Sequence, residues 1–157
     1  MSTRNVLVIL VLAGALAACP AKKKPGQPQA NSGAPTARAA AAAAASDAGA
    51  SAAQAGARIY SGNCVPCHQQ TGMGIAGVYP SLAGSPIVLG DPAQLALWVI
   101  KGQRPSSMPA GRYPTQMLQF GWMKPADAAA LFSYLRSNFG NSAAPVDAAA
   151  VAEALGQ

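Results

Sequence analysis

Once the first eighteen residues are set aside, large apolar and aromatic side chains begin at Ile59 and run densely only as far as Phe139. Whatever this chain folds into must therefore be built mainly within residues 56–141. So short a unit has difficulty building a sufficient core unaided, and domains of this size lean on a metal, crosslinks or a cofactor. The flanks differ in composition. Residues 19–55 are rich in Pro, Lys and above all Ala, without one large apolar side chain. They cannot offset the entropy of ordering and read as a disordered tether. The alanine run over 39–45 has the best helix propensity, but a short isolated helix is marginal in water. Residues 142–157 read as an Ala-rich C-terminal tail, with Val146, Val151 and Leu155 spaced as in a short amphipathic helix.

Three helices are readable inside the unit and nothing alternates like a strand, so the expected class is all-α. The first runs from Gly56 into Cys64, with Ile59 and Tyr60 inward. The second opens on Asp91 as N-cap and Pro92 at the first helical position, carries Leu95, Trp98 and Val99 on one face, and ends at Gly102. The third opens near Pro125, places Asp127 in its first turn and carries the stripe Ala128, Leu131, Phe132, Leu135 before Gly140. Between them lie Gly/Pro-rich loops over 69–90 and 103–124. Loops this long are out of place in a compact domain unless something organises them, and a buried cofactor would.

One histidine excludes catalytic designs that need two imidazoles, and three cysteines exclude a disulfide framework or a four-thiolate metal site. The five acids, Asp47, Asp91, Asp127, Asp147 and Glu153, are too scattered for a paired-carboxylate hydrolase. The histidine and two of the cysteines stand together in Cys64-Val65-Pro66-Cys67-His68. This is the spacing of covalent haem attachment. Thiols three residues apart lie within about one helical turn and can add across two porphyrin vinyl groups, and the next imidazole reaches the iron. A structural disulfide would not need the histidine, a redox dithiol calls for strands around it, and zinc would lack an obvious fourth ligand. The expectation is one covalently attached haem c, held by Cys64, Cys67 and His68.

The pattern extends further. Tyr60-x-x-x-Cys64-x-x-Cys67-His68, Gly72-Met73-Gly74, Tyr79-Pro80-Ser81-Leu82-Ala83-Gly84 and Gly90-Asp91-Pro92 resemble class I cytochromes c. So does the ending with Phe120-Gly121, Ala128, Leu131 and Tyr134-x-Arg136. The likeness is greatest to c-type domains serving as electron-transfer subunits of periplasmic dehydrogenases and haem–copper oxidases, and it covers residues 56–141. It implies a small all-α fold with crossed N- and C-terminal helices, a third helix and long loops around the haem. It implies an electron carrier rather than an enzyme. It further implies that Pro80 lends its carbonyl to the Nδ1–H of His68 and that Leu82 packs on the same haem face, with turn and core roles as the alternatives.

A methionine opposite the histidine would complete an electron-transfer site, because a soft thioether favours Fe(II) and raises the potential. Met73 is too close to His68 to reach the opposite face, and Met123 reads as core. Related domains place the ligand as Met117 is placed, four residues after Tyr113 and seventeen before Tyr134, with Phe120-Gly121 following. Met108-Pro109 instead reproduces the dipeptide that usually carries it. Met117 is the expected distal ligand and Met108 the alternative, so the resemblance implies an apolar haem cavity bordered by Cys64, Cys67, His68, Leu82 and Met117; Leu118 stands where the family has proline. Arg104 and Arg112 are candidates for haem propionates and Trp98 for an indole donor, although solvated charge and ordinary core are equally compatible.

Residues 1–18 read as an export signal, with Arg4 at the positive end. The apolar stretch over 6–18 is 13 residues, against about 20 for a membrane span. Leu16-Ala17-Ala18-Cys19 resembles the lipobox of bacterial lipoproteins, which implies acylation of Cys19 and a lipid anchor on the periplasmic side of a bacterial membrane. Lys22, Lys23 and Lys24 either add attraction to an anionic bilayer or form a solvated linker. Net charge is +6 overall, and within 56–141 six basic residues (Arg58, Lys101, Arg104, Arg112, Lys124, Arg136) face two acids, Asp91 and Asp127. A basic rim suits an acidic-faced redox protein such as an oxidase or dehydrogenase. Nucleic acid is not expected, since aromatic and basic residues do not interleave. Two other readings stand beside single-electron transfer: haem-based binding or sensing of a small ligand at an open sixth position, and a subunit acting only within a larger complex.

Overall fold

A computed structural model describes residues 37–157. The export signal, Cys19 and the lysines at 22–24 lie outside the described residues. The element order is α1 (Ala37–Asn63), α2 (Val65–His68), α3 (Pro86–Leu89), α4 (Pro92–Lys101), α5 (Pro125–Ser137) and α6 (Ala148–Leu155). The described residues contain no strand beyond an isolated antiparallel bridge between Ile75 and Tyr79, which is the all-α class read from the sequence.

The first helix begins at Ala37, not Gly56, so residues 37–55, expected as disordered tether, are helical instead. The physical reason is nucleation. The C-terminal end of α1 is packed against the domain, and each alanine added to an existing helix extends it without a new nucleus. At about 1.5 Å per residue this arm is a rod rather than a coil. Among the described residues no helix is long and apolar enough to cross a membrane.

The α1–α5 contact is the largest between helices, and Gly56 makes it close. A Cβ there would lie 2.8 Å from the Ala130 carbonyl carbon and from Tyr134 Cβ, and nearer still to the Ala130 oxygen. On α5 the predicted stripe is the buried one: Ala128, Leu131, Phe132 and Leu135 all face the core. One turn beyond Gly56, Tyr60 stacks against Tyr134 and Phe139, with ring centroids 5.5 and 5.0 Å away. Helix α4 has the ends expected of it. Asp91 Oδ1 accepts from the Ala93 N–H at 2.9 Å, and Gly102 takes φ 68 to close the C-terminus.

The tail is part of this packing. Val146, Val151 and Leu155 are buried, and α6 lies against α4 and α5. The Lys101 ammonium donates to the Leu155 carbonyl at 2.6 Å, a cation at the negative end of α6. Arg136, counted above with the basic rim, is only 7% exposed. Its Nε donates to the Ala144 carbonyl (2.7 Å), and its Nη1 to the carbonyls of Val88 (2.8 Å) and Gly90 (2.9 Å). It ties α5 to the α3–α4 junction and to the tail. The exposed basic residues of this unit are therefore Arg58, Lys101, Arg104, Arg112 and Lys124.

Candidate functional site

Where α1 ends, the backbone turns without a break into α2. The Cys64 N–H donates to the Tyr60 carbonyl (2.9 Å), and the His68 N–H donates to the Cys64 carbonyl (2.8 Å). Pro66 sits in the first turn of α2, where its missing N–H costs nothing. Both cysteines are free thiols, Cys64 buried and Cys67 half-buried. Burial, and then the neighbouring Cys67, push the Cys64 thiol up to about 11, so it is protonated at neutral pH. No disulfide joins the two.

His68 is 7% exposed, and its Nδ1 lies 3.0 Å from the Pro80 carbonyl oxygen. A carbonyl only accepts, so Nδ1 carries the proton and Nε2 the lone pair. Burial lowers the imidazole pKa, partly opposed by the Pro80 hydrogen bond. The result is a neutral ring of fixed tautomer whose free donor atom is Nε2. The His68–Pro80 pairing is the one that the family resemblance implied.

The 69–90 loop is organised by its own backbone. Ile75 and Tyr79 exchange hydrogen bonds of 3.0 and 2.8 Å, and the Leu82 N–H donates to the Gly72 carbonyl at 2.7 Å. Gly74 lies so close to the Tyr79 and Pro80 carbonyls that a Cβ would collide with both, and it takes φ 65. That close approach holds the Pro80 carbonyl in line with His68. Leu82 is half-buried against the core. A residue that sequence reasoning left at the domain edge completes this side. Asn141 is buried, donates from Nδ2 to the Leu82 (3.1 Å) and Leu135 (2.7 Å) carbonyls, and accepts from the Gly84 N–H at 2.8 Å. Its position two residues beyond the last aromatic was the available signal.

Immediately after His68, Gln69 has φ 62 and ψ 164, a region that only glycine enters freely. Such a residue costs about 1–3 kcal/mol and persists only where its surroundings over-determine it. The Tyr60 hydroxyl donates to its carbonyl at 2.5 Å. Burial first, then the neighbouring Cys64 and Tyr134, push that phenol up to about 12.

Met117 is half-buried and packs against the core cluster, as Trp98 does. Met108 is also half-buried, in the 103–124 loop, but is not among the side chains packed on that cluster. Met123 is core and Met73 is 58% exposed. The Arg104 guanidinium lies 5.0 Å from the Trp98 ring centroid and donates to the Pro109 carbonyl; Arg112 stands over Tyr113 at 5.9 Å. Two clefts, of about 170 and 480 Å³, open beside Tyr60 and Tyr134 and between α4 and α6. Neither is the expected cavity bordered by Cys64, Cys67, His68, Leu82 and Met117; Leu82 and Met117 instead pack on the buried cluster.

Among the described residues no three His, Cys, Asp or Glu side chains converge on a metal position, so Cys64, Cys67 and His68 do not form a zinc set. Two free thiols one turn apart, a buried imidazole with Nε2 as its donor and a core-facing thioether fit haem c by the chemistry of the donor set.

The cytochrome c family model matches residues 53–139. Over 91 residues the chain is 31% identical to a protein of Gluconobacter oxydans (strain 621H) named as the cytochrome c subunit of a quinone alcohol dehydrogenase. That match takes in 55% of this chain and 19% of the relative, so the chain spans about a fifth of the relative's length.

Proposed function

Since the chain belongs to the cytochrome c family, whose members carry covalently bound haem c and transfer electrons rather than transform a substrate, we propose a single-haem carrier whose iron is held by His68 and Met117. Cys64 and Cys67, both free thiols, would hold the haem through thioether links. The observation that carries the reading is the His68–Pro80 hydrogen bond at 3.0 Å: it presents a neutral imidazole through Nε2, one residue after two free thiols. The bound haem supplies a one-electron Fe(III)/Fe(II) couple.

The chain's own residues supply the rest. Pro80 fixes the tautomer and raises the basicity of His68. Leu82 and the core around Met117 keep water from the ligands. Met117 is favoured over Met108 because it faces the core. A thioether held there also favours a closed sixth position over small-ligand sensing. The exposed basic set of Arg58, Lys101, Arg104, Arg112 and Lys124, with Trp122 at 65% and Leu118 at 72% exposure, suits an acidic-faced redox protein. The relative's name supports a dehydrogenase as that partner. Export and a lipid anchor at Cys19 complete the proposal, with the α1 arm as spacer.

The test is the absorption spectrum of wild type beside Met117→Ala and Met108→Ala, each produced with haem-maturation machinery. Loss of the sulfur-to-iron charge-transfer band in Met117→Ala alone is expected. Loss in Met108→Ala alone reassigns the ligand. A colourless wild type at its unmodified mass overturns the proposal, and carbon monoxide binding to the reduced wild type at neutral pH would favour the sensor.

A further inference from the structure

We propose that Tyr60 is a positioning residue for the proximal ligand: its hydroxyl holds the strained Gln69 backbone and thereby sets the orientation of the His68 imidazole. The inference rests on the reading of His68 as the iron ligand and deepens it. Gln69 carries a Cβ at φ 62, ψ 164, where a relaxed chain would rotate away. Such a rotation turns the peptide joining residues 68 and 69 and with it the His68 carbonyl.

Three local bonds resist this. The Gln69 N–H donates to the Val65 carbonyl (2.9 Å), the Gly72 N–H to the Gln69 carbonyl (3.2 Å), and the Gly74 N–H to the His68 carbonyl (3.0 Å). All three are made within residues 64–74, so they move with the segment they hold. The Tyr60 bond to the Gln69 carbonyl, at 2.5 Å, is of a different kind. It comes from α1, and the Tyr60 ring is itself fixed by Tyr134 of α5 and by Phe139. The hydroxyl is thus a side-chain link, besides the α1 backbone itself, by which the α1–α5 packing reaches the carbonyl of the strained residue next to the ligand.

The geometry makes the role conditional on strain at position 69. Glycine adopts these dihedrals freely, so in a Gln69→Gly chain there is nothing for Tyr60 to hold. The test is a four-member cycle on the haem-loaded protein: wild type, Tyr60→Phe, Gln69→Gly and the double variant. Phenylalanine keeps the ring contacts, and Gln69 keeps its bond from Gly72, so folding is retained. The readouts are the haem-methyl proton shifts of the ferric form, which report the plane of the axial imidazole, and the reduction midpoint. Exchange of the His68 Nδ1–H with solvent is followed in the same samples.

Tyr60→Phe is expected to reorder the methyl shifts, move the midpoint and speed Nδ1–H exchange several-fold. The same change in the Gln69→Gly background is expected to move none of them. A Tyr60→Phe protein with wild-type shifts and exchange, merely melting lower, would show that the hydroxyl only stabilises and would overturn the proposal. An equal effect in both backgrounds would overturn the coupling through Gln69. Neither result touches the electron-carrier reading, which fails separately if no covalent haem forms.

Discussion

Two glycines in one helix make opposite predictions for the same substitution. Alanine is favoured over glycine in a helix interior by about 0.8–1.0 kcal/mol. At Gly62, in the last turn of α1, nothing lies within 4 Å of the added Cβ, so Gly62→Ala should gain, by up to that amount. At Gly56 the Cβ would stand 2.8 Å from the Ala130 carbonyl carbon and from Tyr134 Cβ, where carbon atoms normally rest about 3.5–4.0 Å apart. Both obstacles sit on or beside the α5 backbone and cannot rotate away, so α1 must retreat by roughly 0.7–1 Å along its largest contact. A gap of that size forfeits a quarter to a half of the dispersion energy of the atoms it parts, and overpacking costs about 1–3 kcal/mol. Because the overlap is with backbone atoms the cost lies at the top of that range, and after the propensity gain Gly56→Ala should lose on the order of 2 kcal/mol. Thermal and urea unfolding of the haem-loaded proteins reads both changes, at about 4 °C per kcal/mol for a unit of this size. The two midpoints should move in opposite directions from wild type. A Gly56→Ala protein as stable as wild type, or both variants moving together, would refute the close α1–α5 contact.

Replacing Arg136 by Met leaves the Val88, Gly90 and Ala144 carbonyls without their donor, and urea unfolding should show a loss of about 2–4 kcal/mol. Arg136→Lys, with its charge but without the planar fork, should fall between that variant and wild type. Alkaline unfolding reads Tyr60. The folded protein keeps the phenol proton to about pH 12 and the unfolded chain releases it near 10, so stability falls as pH rises between those values. Tyr60→Phe should lose that part of the slope. Deleting residues 145–157 uncovers the faces of α4 and α5 beneath Val151 and Leu155, and at about 1.5–3 kcal/mol per buried side chain calorimetry should show a drop of roughly 10–20 °C; an unchanged midpoint would mean that α6 is not docked in solution.

Legibility followed the range of each interaction. The pentapeptide, the Asp91–Pro92 start and Gly102 end of α4 and the apolar stripe of α5 are local devices, decided by residues within a turn of one another, and each was readable along the chain. The end of α5 was not. Gly140 takes φ 80 just past the helix, as read, but the helix already stops at Ser137 and Phe139 also takes φ 60, with its ring against Tyr60 and Tyr134. The contacts of that half-buried ring outweigh the strain of a left-handed conformation at a residue with a Cβ. In the tail the helix and its apolar positions Val146, Val151 and Leu155 were readable, but its docking was not. Its alanines and few large side chains carry little apolar area, and only the shape of the α4–α5 surface makes so small a contribution worth keeping.

By itself the order of residues determined which chemistry is available: two thiols, one imidazole and the helices on which they ride, because thiol spacing and helix capping are properties of neighbours. Tertiary structure alone decided which groups hold them. Asn141 reaches back to Leu82, Arg136 leaves the surface for three carbonyls and Tyr60 meets Gln69. In each case the polar group is satisfied by a partner that only folding brings within reach, and no periodicity in the sequence marks such a partner.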